Sequence, residues 1–128
     1  MLNWLRSEHG QELVEYALVL PLLLTLLLGS AQLALVILAH NTIHHAASEG
    51  TRFGSLSDNA NRPDSIIAVV YQVTDAAGLD RADLTFALPF KQADNKTIRV
   101  QIDYSMVPVF PIGNISLRAV SRKRIELN

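Results

Sequence analysis

The stretch GQELVEYALVLPLLLTLLL, from Gly10 to Leu28, decides the fold of this chain. No charged residue occurs in the 24 positions from Tyr16 to Ala39. As an α-helix this run is about 36 Å long, whereas the hydrocarbon core of a bilayer is about 30 Å thick. The sequence therefore predicts a helix over about residues 16–39 that spans a membrane or is buried in an assembly.

Two other interpretations of this apolar run are less favoured. It is longer than the apolar core of a secretory signal peptide, which has about 7–15 residues. It also lacks the polar stripe of an amphipathic helix in a soluble protein. Arg6 is the one fixed positive charge before the run, so the positive-inside rule indicates a cytoplasmic N-terminus. Pro21 lies within the run, where membrane helices tolerate proline, often as a kink.

The composition of the chain argues against several classes of function. A length of 128 residues allows one small domain beside this helix, and a net charge of -1 gives no reason to expect a specific nucleic acid partner. Without cysteine there is no disulfide, no thiolate zinc site and no cysteine nucleophile. We find no glycine-rich phosphate loop, no G-x-S-x-G motif and no evident triad. We therefore expect neither catalysis nor a cofactor.

Histidines after the apolar run leave one alternative open. His40 with His44, and His45 with Glu49, have the i,i+4 spacing at which two side chains of a helix can chelate a divalent metal. A histidine pH switch is a further alternative. No H-E-x-x-H motif accompanies them, so we expect ordinary interfacial or subunit-contact histidines rather than a metal site.

Two motifs carry a resemblance to a known family. The stretches GQELVEYALVLP, from Gly10, and HNTIHHAASEGTRFGSLS, from His40, resemble the TadE-like and Flp families of tight-adherence (Tad) pilus systems, which are type IV pilin-like. In such proteins a membrane-embedded prepilin peptidase cuts after the glycine, and a glutamate lies five residues beyond it. The resemblance thus implies a cut after Gly10, a new N-terminus at Gln11, and a register contact by Glu15 that neutralises this amino group on a neighbouring subunit, with Tyr16 as the following aromatic.

The resemblance also implies further site residues. The second motif contains a small-residue stretch at Ala46 and Ala47, and then Glu49, Gly50, Thr51, Arg52, Phe53 and Gly54. The membrane or filament-core residues would be Leu13, Val14, Ala17, Leu18, Leu20, Pro21, Leu22, Leu23, Leu24, Leu26, Leu27 and Leu28.

Elementary chemistry agrees with these roles near the N-terminus. Gly10 has no side chain, so its backbone can extend into a protease cleft, and we expect the helix to begin beyond it. Glu15 would lie about one turn into that helix, where the helix dipole favours a carboxylate. The alternative for Glu15 is an interfacial carboxylate solvated by headgroup water.

The remainder of the chain predicts a small α+β head. NRPDSIIAVVYQVTDAAG reads as a helix capped by Asn61, with Pro63 in its first turn and Gly78 as its stop. The segments 84–90, 97–107 and 115–127 alternate as strands, with a hairpin loop at 91–96 and a turn region at 108–113. The helix should bury one stripe of side chains: Ile66, Ile67, Val70, Val73 and Ala77.

We thus expect a leader at 1–10, a spine helix at 11–55 and a head at 56–128 with one helix and a three-stranded antiparallel sheet. One feature of the spine helix and one of the head have alternative interpretations. Gly50 and Gly54 are either a pair that permits close helix approach or punctuation at a helix end. The third strand carries a basic cluster that either protects a sheet edge or contacts DNA, surfaces or acidic neighbours. This cluster contains Arg118, Arg122, Lys123 and Arg124.

Two functional hypotheses follow. The first is a pilin-like structural subunit, inserted in the cytoplasmic membrane with its N-terminus inside and then assembled into an extracellular adhesive pilus. Its partners would be further copies or other pilins, the prepilin peptidase and the pilus assembly platform. The second is a non-polymerising single-pass accessory protein whose head binds other pilus or envelope proteins. The leader MLNWLRSEHG, with one arginine before Gly10, is less basic than many leaders of the family.

Overall fold

A computed structural model describes residues 8–56, 58–88, 90–94, 96–108 and 113–126. These residues form an α+β fold with two α-helices, one 3-10 helix and one antiparallel sheet, which confirms the predicted layout. The elements are α1 (Glu8–Gly54), α2 (Pro63–Ala76), the 3-10 helix (Arg81–Asp83), β1 (Leu84–Phe86), β2 (Thr97–Met106) and β3 (Ile115–Arg124).

Helix α1 begins earlier than the sequence predicts. It starts at Glu8, so Gly10 lies inside the helix and not before it. A helical glycine costs only about 1 kcal/mol relative to alanine, and the residues that follow are strong helix formers. One glycine is therefore insufficient to end the helix. Most of the expected leader, residues 1–7, lies outside the described residues.

The chain divides into two compact units, Met1–Leu35 and Val36–Asn128. In its described part the first unit consists of α1 residues alone. The second unit contains residues 36–54 of α1 together with α2 and the sheet. Its core joins side chains from all these elements, including Ile43, Ala46, Ala47, Ile66, Val70, Ile98, Val100, Ile102 and Ala119.

Helix α2 differs from expectation at its cap and on its buried face. Arg62 is the N-cap and has no capping side chain, whereas Asn61 accepts a hydrogen bond from Lys91 Nζ at 3.2 Å, so the predicted Asn61 cap is wrong. Pro63 lies in the first turn as predicted, and Gly78 follows the helix with a φ of 76°. This left-handed conformation suits glycine and stops the helix.

The predicted stripe of α2 is right in its centre and wrong at its end. Ile66 and Val70 are fully buried, but Ala77 is exposed because the helix ends at Ala76. Thr74 is fully buried instead, with its hydroxyl donating to the carbonyls of Val70 and Tyr71 at 3.1 and 3.2 Å. A threonine can occupy this core position because its hydroxyl is satisfied by its own helix.

The sheet has the order β1-β2-β3, which leaves β3 at an edge. Its inner face carries the predicted alternating residues of β2, and Ile98, Val100 and Ile102 are fully buried. The first strand is shorter than predicted because pairing is interrupted after Ala87, whose N–H donates to Gln101, and resumes at Phe90, whose carbonyl accepts from Arg99. Leu88 between them is exposed, and Pro89, which has no N–H to donate, lies outside the described residues.

Asp94 closes the turn between β1 and β2. Its carboxylate accepts hydrogen bonds from the N–H groups of Lys96 and Thr97 at 3.1 and 3.2 Å and from the Thr97 hydroxyl at 2.9 Å. These bonds, chiefly that of the Lys96 N–H, hold the pKa of Asp94 below its usual 3.8. The charged form is therefore the one that stabilises the turn.

The first prediction concerns this turn. We expect Asp94→Asn to lower the Tm of the head at pH 7, because the amide accepts fewer hydrogen bonds than the carboxylate. A lowered folded pKa contributes stability above pH 3.8 that is lost as the pH falls through the folded value, so the Tm difference should disappear in strong acid. Thermal unfolding of both proteins at pH 7 and in strong acid measures this, with Asp58→Asn in a neighbouring loop as control. A Tm difference independent of pH would contradict it.

Candidate membrane and assembly surface

The N-terminal part of α1 exposes apolar side chains on every side. Leu18 and Leu22 are 72% and 70% exposed, and Leu20 and Leu23, on other faces of the helix, are 57% and 52% exposed. Soluble monomers rarely expose contiguous apolar patches above a few hundred Å². The predicted core residues between Leu13 and Leu28 all share this exposure, including Ala17 and Pro21. Such a surface requires lipid or other apolar helices around it.

Two hydroxyls within the apolar run are satisfied by the helix itself. The Thr25 hydroxyl donates to the Pro21 carbonyl at 2.8 Å, and the Ser30 hydroxyl donates to the Leu27 carbonyl at 2.8 Å. Both hydroxyls can therefore enter an apolar medium without losing a hydrogen bond. In the described part of the chain, α1 is the one helix long and apolar enough to cross a membrane.

The structure places the predicted processing and register residues on two successive turns of α1. Gln11, Glu15 and Tyr16 are exposed, and the Gln11 side-chain amide donates to Glu15 Oε1 at 3.4 Å. Gly10 lies in the same helix and is half-buried. The carboxylate of Glu15 thus lies one turn from residue 11 within a single chain, and its outward side is open to a neighbour.

The two glycines of the second motif are packing positions inside the head. A Cβ at Gly50 would lie 3.0 Å from Val70 Cγ2, and a Cβ at Gly54 would lie 2.8 Å from the Cδ1 atoms of both Ile66 and Ile98. Neither glycine has a positive φ. Gly54 is also the last residue of α1, so it stands at the helix end as the other interpretation predicts. Together with Gly50 it also permits close approach, and what approaches are side chains of α2 and β2 of the same chain.

The other residues of the second motif support the same packing. Phe53 packs against the core, whereas Arg52 is exposed and pairs with Glu49 at 3.8 Å. Thr51, fully enclosed, shares a hydrogen bond of 2.9 Å with Ser121 of β3. The sequence analysis missed this Thr51–Ser121 contact, because it assigned roles to the charged residues of both stretches and not to the two hydroxyls. The motif thus joins α1 to the head.

Among the described residues, the histidines form pairs and no larger cluster. His40 and His44 contact each other edge to face, with ring centroids 4.5 Å apart. His45 and Glu49 line an open groove of about 620 Å³, together with residues of α2 such as Val73. Within the described residues no group of three or more histidine, cysteine, aspartate or glutamate side chains is placed to hold a metal ion. The role of these histidines stays a prediction.

Comparison with known proteins identifies the N-terminal region. The sequence model of the family described as TadE-like protein matches residues 10–52, a range that contains the first motif, the apolar helix and the second motif as far as Arg52. No curated protein and no solved structure matches the chain. The resemblance seen in the sequence is therefore confirmed: over residues 10–52 the chain is similar to TadE-like proteins, and this similarity together with the apolar helix fits a membrane protein associated with Tad pili.

Proposed function

We propose that this protein is a pilin-like structural subunit that is held in the cytoplasmic membrane by α1 and then assembled into an extracellular pilus through the same helix. The observation that carries the proposal is the apolar surface of α1, which is exposed on all sides from Leu13 to Leu28 and follows directly on the motif at Gly10. A helix without a polar side can exchange lipid for neighbouring helices with little change in hydrophobic free energy.

When helices replace lipid around α1, the polar groups of the helix become important for how the subunits associate. Because lipid tails are as apolar as leucine, helix association in the filament core depends on packing and on polar contacts. A carboxylate in such a core is costly unless it is paired. Glu15 therefore needs a cationic partner there, and the amino group that a cut after Gly10 creates at Gln11 of a neighbouring copy is suitable. This pairing would fix the axial register of the subunits.

The same scheme defines the partners and location. The prepilin peptidase would remove residues 1–10, the assembly platform would extract the helix from the membrane, and further copies or other pilins would receive it. The precursor would have its N-terminus in the cytoplasm, and the head would support attachment outside the cell. The protein would act as structural material in this scheme and not as an enzyme.

One observation favours the second candidate function, an uncut accessory protein that stays in the membrane. The Gly10–Gln11 bond lies within α1, two residues after its start at Glu8, and a helical bond does not fit an extended protease cleft. Processing therefore requires the first turn to open. Helix ends fray and glycine weakens a helix by about 1 kcal/mol, so this opening costs little. If no peptidase acts on the chain, residues 8–11 stay helical and the protein remains uncut in the membrane.

The second prediction separates these functions at one residue. We expect Glu15→Ala to reduce the amount of sheared filament at least about tenfold, because the neighbouring amino group loses its carboxylate in an apolar core. The amount of protein in the membrane should not change. Quantitative immunoblots of sheared and membrane fractions from cells measure both.

Glu12→Ala provides the matched control for this substitution. Glu12 is an exposed acid one turn away on the same helix, and the resemblance assigns it no register contact, so its replacement should leave filament yield within about twofold of the original. Equal yields from the two variants would show that the register role of Glu15 is wrong. Filaments that are absent even from the unaltered protein would favour the accessory function.

A further inference from the structure

The outer face of the sheet carries an unbalanced group of positive charges at one corner. We call Lys96, Arg99, Arg122 and Arg124 the basic corner. Arg99 of β2 lies directly opposite Arg122 of β3 in the antiparallel register, and Arg124 follows on the same face of β3. Like charges directly opposite each other on neighbouring strands destabilise a sheet. An arrangement of this kind indicates a function other than stability.

Few acids offset the basic corner within the chain. Asp103 pairs with Arg118, and Glu126 lies 3.7 Å from Lys123. Arg99 donates through Nη2 to Gln101, while its Nε is buried without a partner among the described residues. Within that same part of the chain Arg122 and Arg124 form no ion pair. Their guanidinium groups are exposed and available to an anion from outside.

The shape at the basic corner suits such an anion. A concavity of about 330 Å³ lies at the end of the β2–β3 ladder. One acid, Asp94, also lines it, but its oxygens accept hydrogen bonds from the turn at Lys96 and Thr97. The concavity is lined by Asp94, Lys96, Thr97, Arg122, Lys123 and Arg124.

Two acids that form no ion pair among the described residues lie beside the opposite end of the sheet. We call Asp80 and Asp83 the acidic corner: Asp80 caps the 3-10 helix that leads into β1, accepting the N–H of Ala82 at 2.9 Å, and Asp83 is the last residue of that helix. Arg81 between them turns away, because it pairs with Asp75 and lies 4.7 Å over the ring of Tyr71. Burial, and after it the charges of Asp83 and Asp80, raise the pKa of the Tyr104 phenol on the adjacent strand. The field of this corner therefore reaches the sheet.

The two corners cannot neutralise each other within one chain. The acidic corner precedes β1 at one edge of the sheet, whereas the basic corner lies on β2, on β3 at the other edge and in the turn before β2. The two corners are also displaced along the strands, because β1 begins opposite Tyr104. Tyr104 is five residues from Arg99 on β2, which corresponds to about 17 Å. Any contact between the corners must therefore join different molecules.

We propose that the basic corner binds the acidic corner of a second copy of this chain, so that heads associate head to tail. Such a contact is heterologous and leaves an unused corner at each end, so it propagates along a series of copies, whereas two identical corners repel each other. The inference deepens the proposed function and rests on it, because it assigns the partner of the head in the assembly.

Charge complementarity on the sheet favours a second copy over a nucleic acid. Proteins that bind single-stranded nucleic acid stack its bases on aromatic side chains. The described outer face of the sheet carries no aromatic side chain. The chain as a whole has a net charge of -1, so the positive corner is balanced by acids elsewhere on the same molecule. A neighbouring copy thus supplies the required carboxylates at the highest local concentration.

Disulfide cross-linking tests this contact in the full chain, which contains no cysteine. Val120→Cys places a thiol on the outer face of β3 beside Arg122, and Ala82→Cys places one between the two acids. Both positions are exposed. Two differently tagged copies, one with each cysteine, are expressed together and oxidised in membranes. We expect disulfides between unlike copies, and none when either variant is expressed alone.

Charge reversal then tests the cause of the contact. Arg122→Glu should lower the cross-linked yield about fivefold, whereas Arg62→Glu, which reverses an exposed arginine outside both corners, should leave it unchanged. Asp83→Lys should lower the yield to a similar extent. High salt should act in the same direction, because the screening length falls from about 8 Å at 0.15 M salt to about 3 Å at 1 M.

Several outcomes would overturn the inference. Disulfides between like copies, no disulfide at all, or equal effects of Arg122→Glu and Arg62→Glu would each show that the corners do not meet. Loss of inorganic polyphosphate binding in Arg122→Glu, without any cross-link, would assign the basic corner to another anion. Failure of the proposed function would look different, because cross-links would still form in membranes while sheared fractions contained no filaments.

Discussion

Replacement of Gly54 by valine is expected to lower the free energy of unfolding of the head by about 3 kcal/mol, which corresponds to a fall in Tm of roughly 12–24 °C. A Cβ at this position would lie 2.8 Å from the Cδ1 atoms of both Ile66 and Ile98. Those two side chains are fully buried in a close-packed core, so neither methyl group can move without displacing others. Valine adds two further methyl groups to the same space.

Thermal unfolding of the full chain in detergent micelles, followed by near-ultraviolet circular dichroism, measures this change. Gly54→Ala should cause a smaller loss of about 1 kcal/mol. Gly29→Ala is the matched control, because Gly29 is also helical and a Cβ there meets no atom within 4 Å. It should stabilise the helix by about 0.5–1 kcal/mol or leave the Tm unchanged. Equal Tm values for Gly54→Val and the original would contradict the packing role of the second motif.

Replacement of Leu27 by arginine is expected to remove filaments while leaving the protein in the membrane. Leu27 lies near the middle of the apolar run, where arginine opposes insertion by about 2.5–3.5 kcal/mol and each leucine favours it by about 0.3–0.6 kcal/mol. Because the run contains many leucines, the remaining segment is still apolar enough to insert. In lipid, local thinning of the bilayer and water that penetrates to the charge lower the remaining cost of the arginine.

In a filament core, neither bilayer thinning nor penetrating water can lower the cost of the charge. There the arginine is enclosed by neighbouring apolar helices, and an unpaired buried ion costs several kcal/mol. We expect at least about a hundredfold less protein in sheared filaments than in the original. Leu27→Met is the matched control, since it keeps the volume and apolar character, and should assemble normally. Normal filaments with arginine at this position would show that this part of α1 does not lie in a packed core.

Several parts of this structure follow directly from the sequence, because local chemistry determines them. The charge-free run after Tyr16 predicts the exposed apolar helix, and the alternation from Ile98 to Met106 predicts the buried face of β2. Pro63 begins α2, where its missing N–H costs no hydrogen bond. Gly78 follows the helix and adopts a φ of 76°, which stops it. These signals depend on one or a few neighbouring residues.

Other features depend on contacts between distant segments and were not predictable in this way. Asn61 bonds to Lys91, thirty residues away, and so does not cap α2. Thr51 meets Ser121 across seventy residues, and Gly54 is required by side chains of α2 and β2. Nothing in a single sequence reveals such pairs. The opposition of Arg99 and Arg122 likewise appears only when the register of the sheet is known.

The most direct test of the proposed function is the N-terminus of the protein in filaments sheared from native cells, compared with that in their membranes. Intact mass and the N-terminal peptide are measured in both fractions. A chain that begins at Gln11 in the sheared fraction is the predicted result, because removal of residues 1–10 creates the amino group that Glu15 is proposed to neutralise. Filaments whose chains retain Met1, or a protein confined to the membrane with Met1 intact, would contradict the proposal.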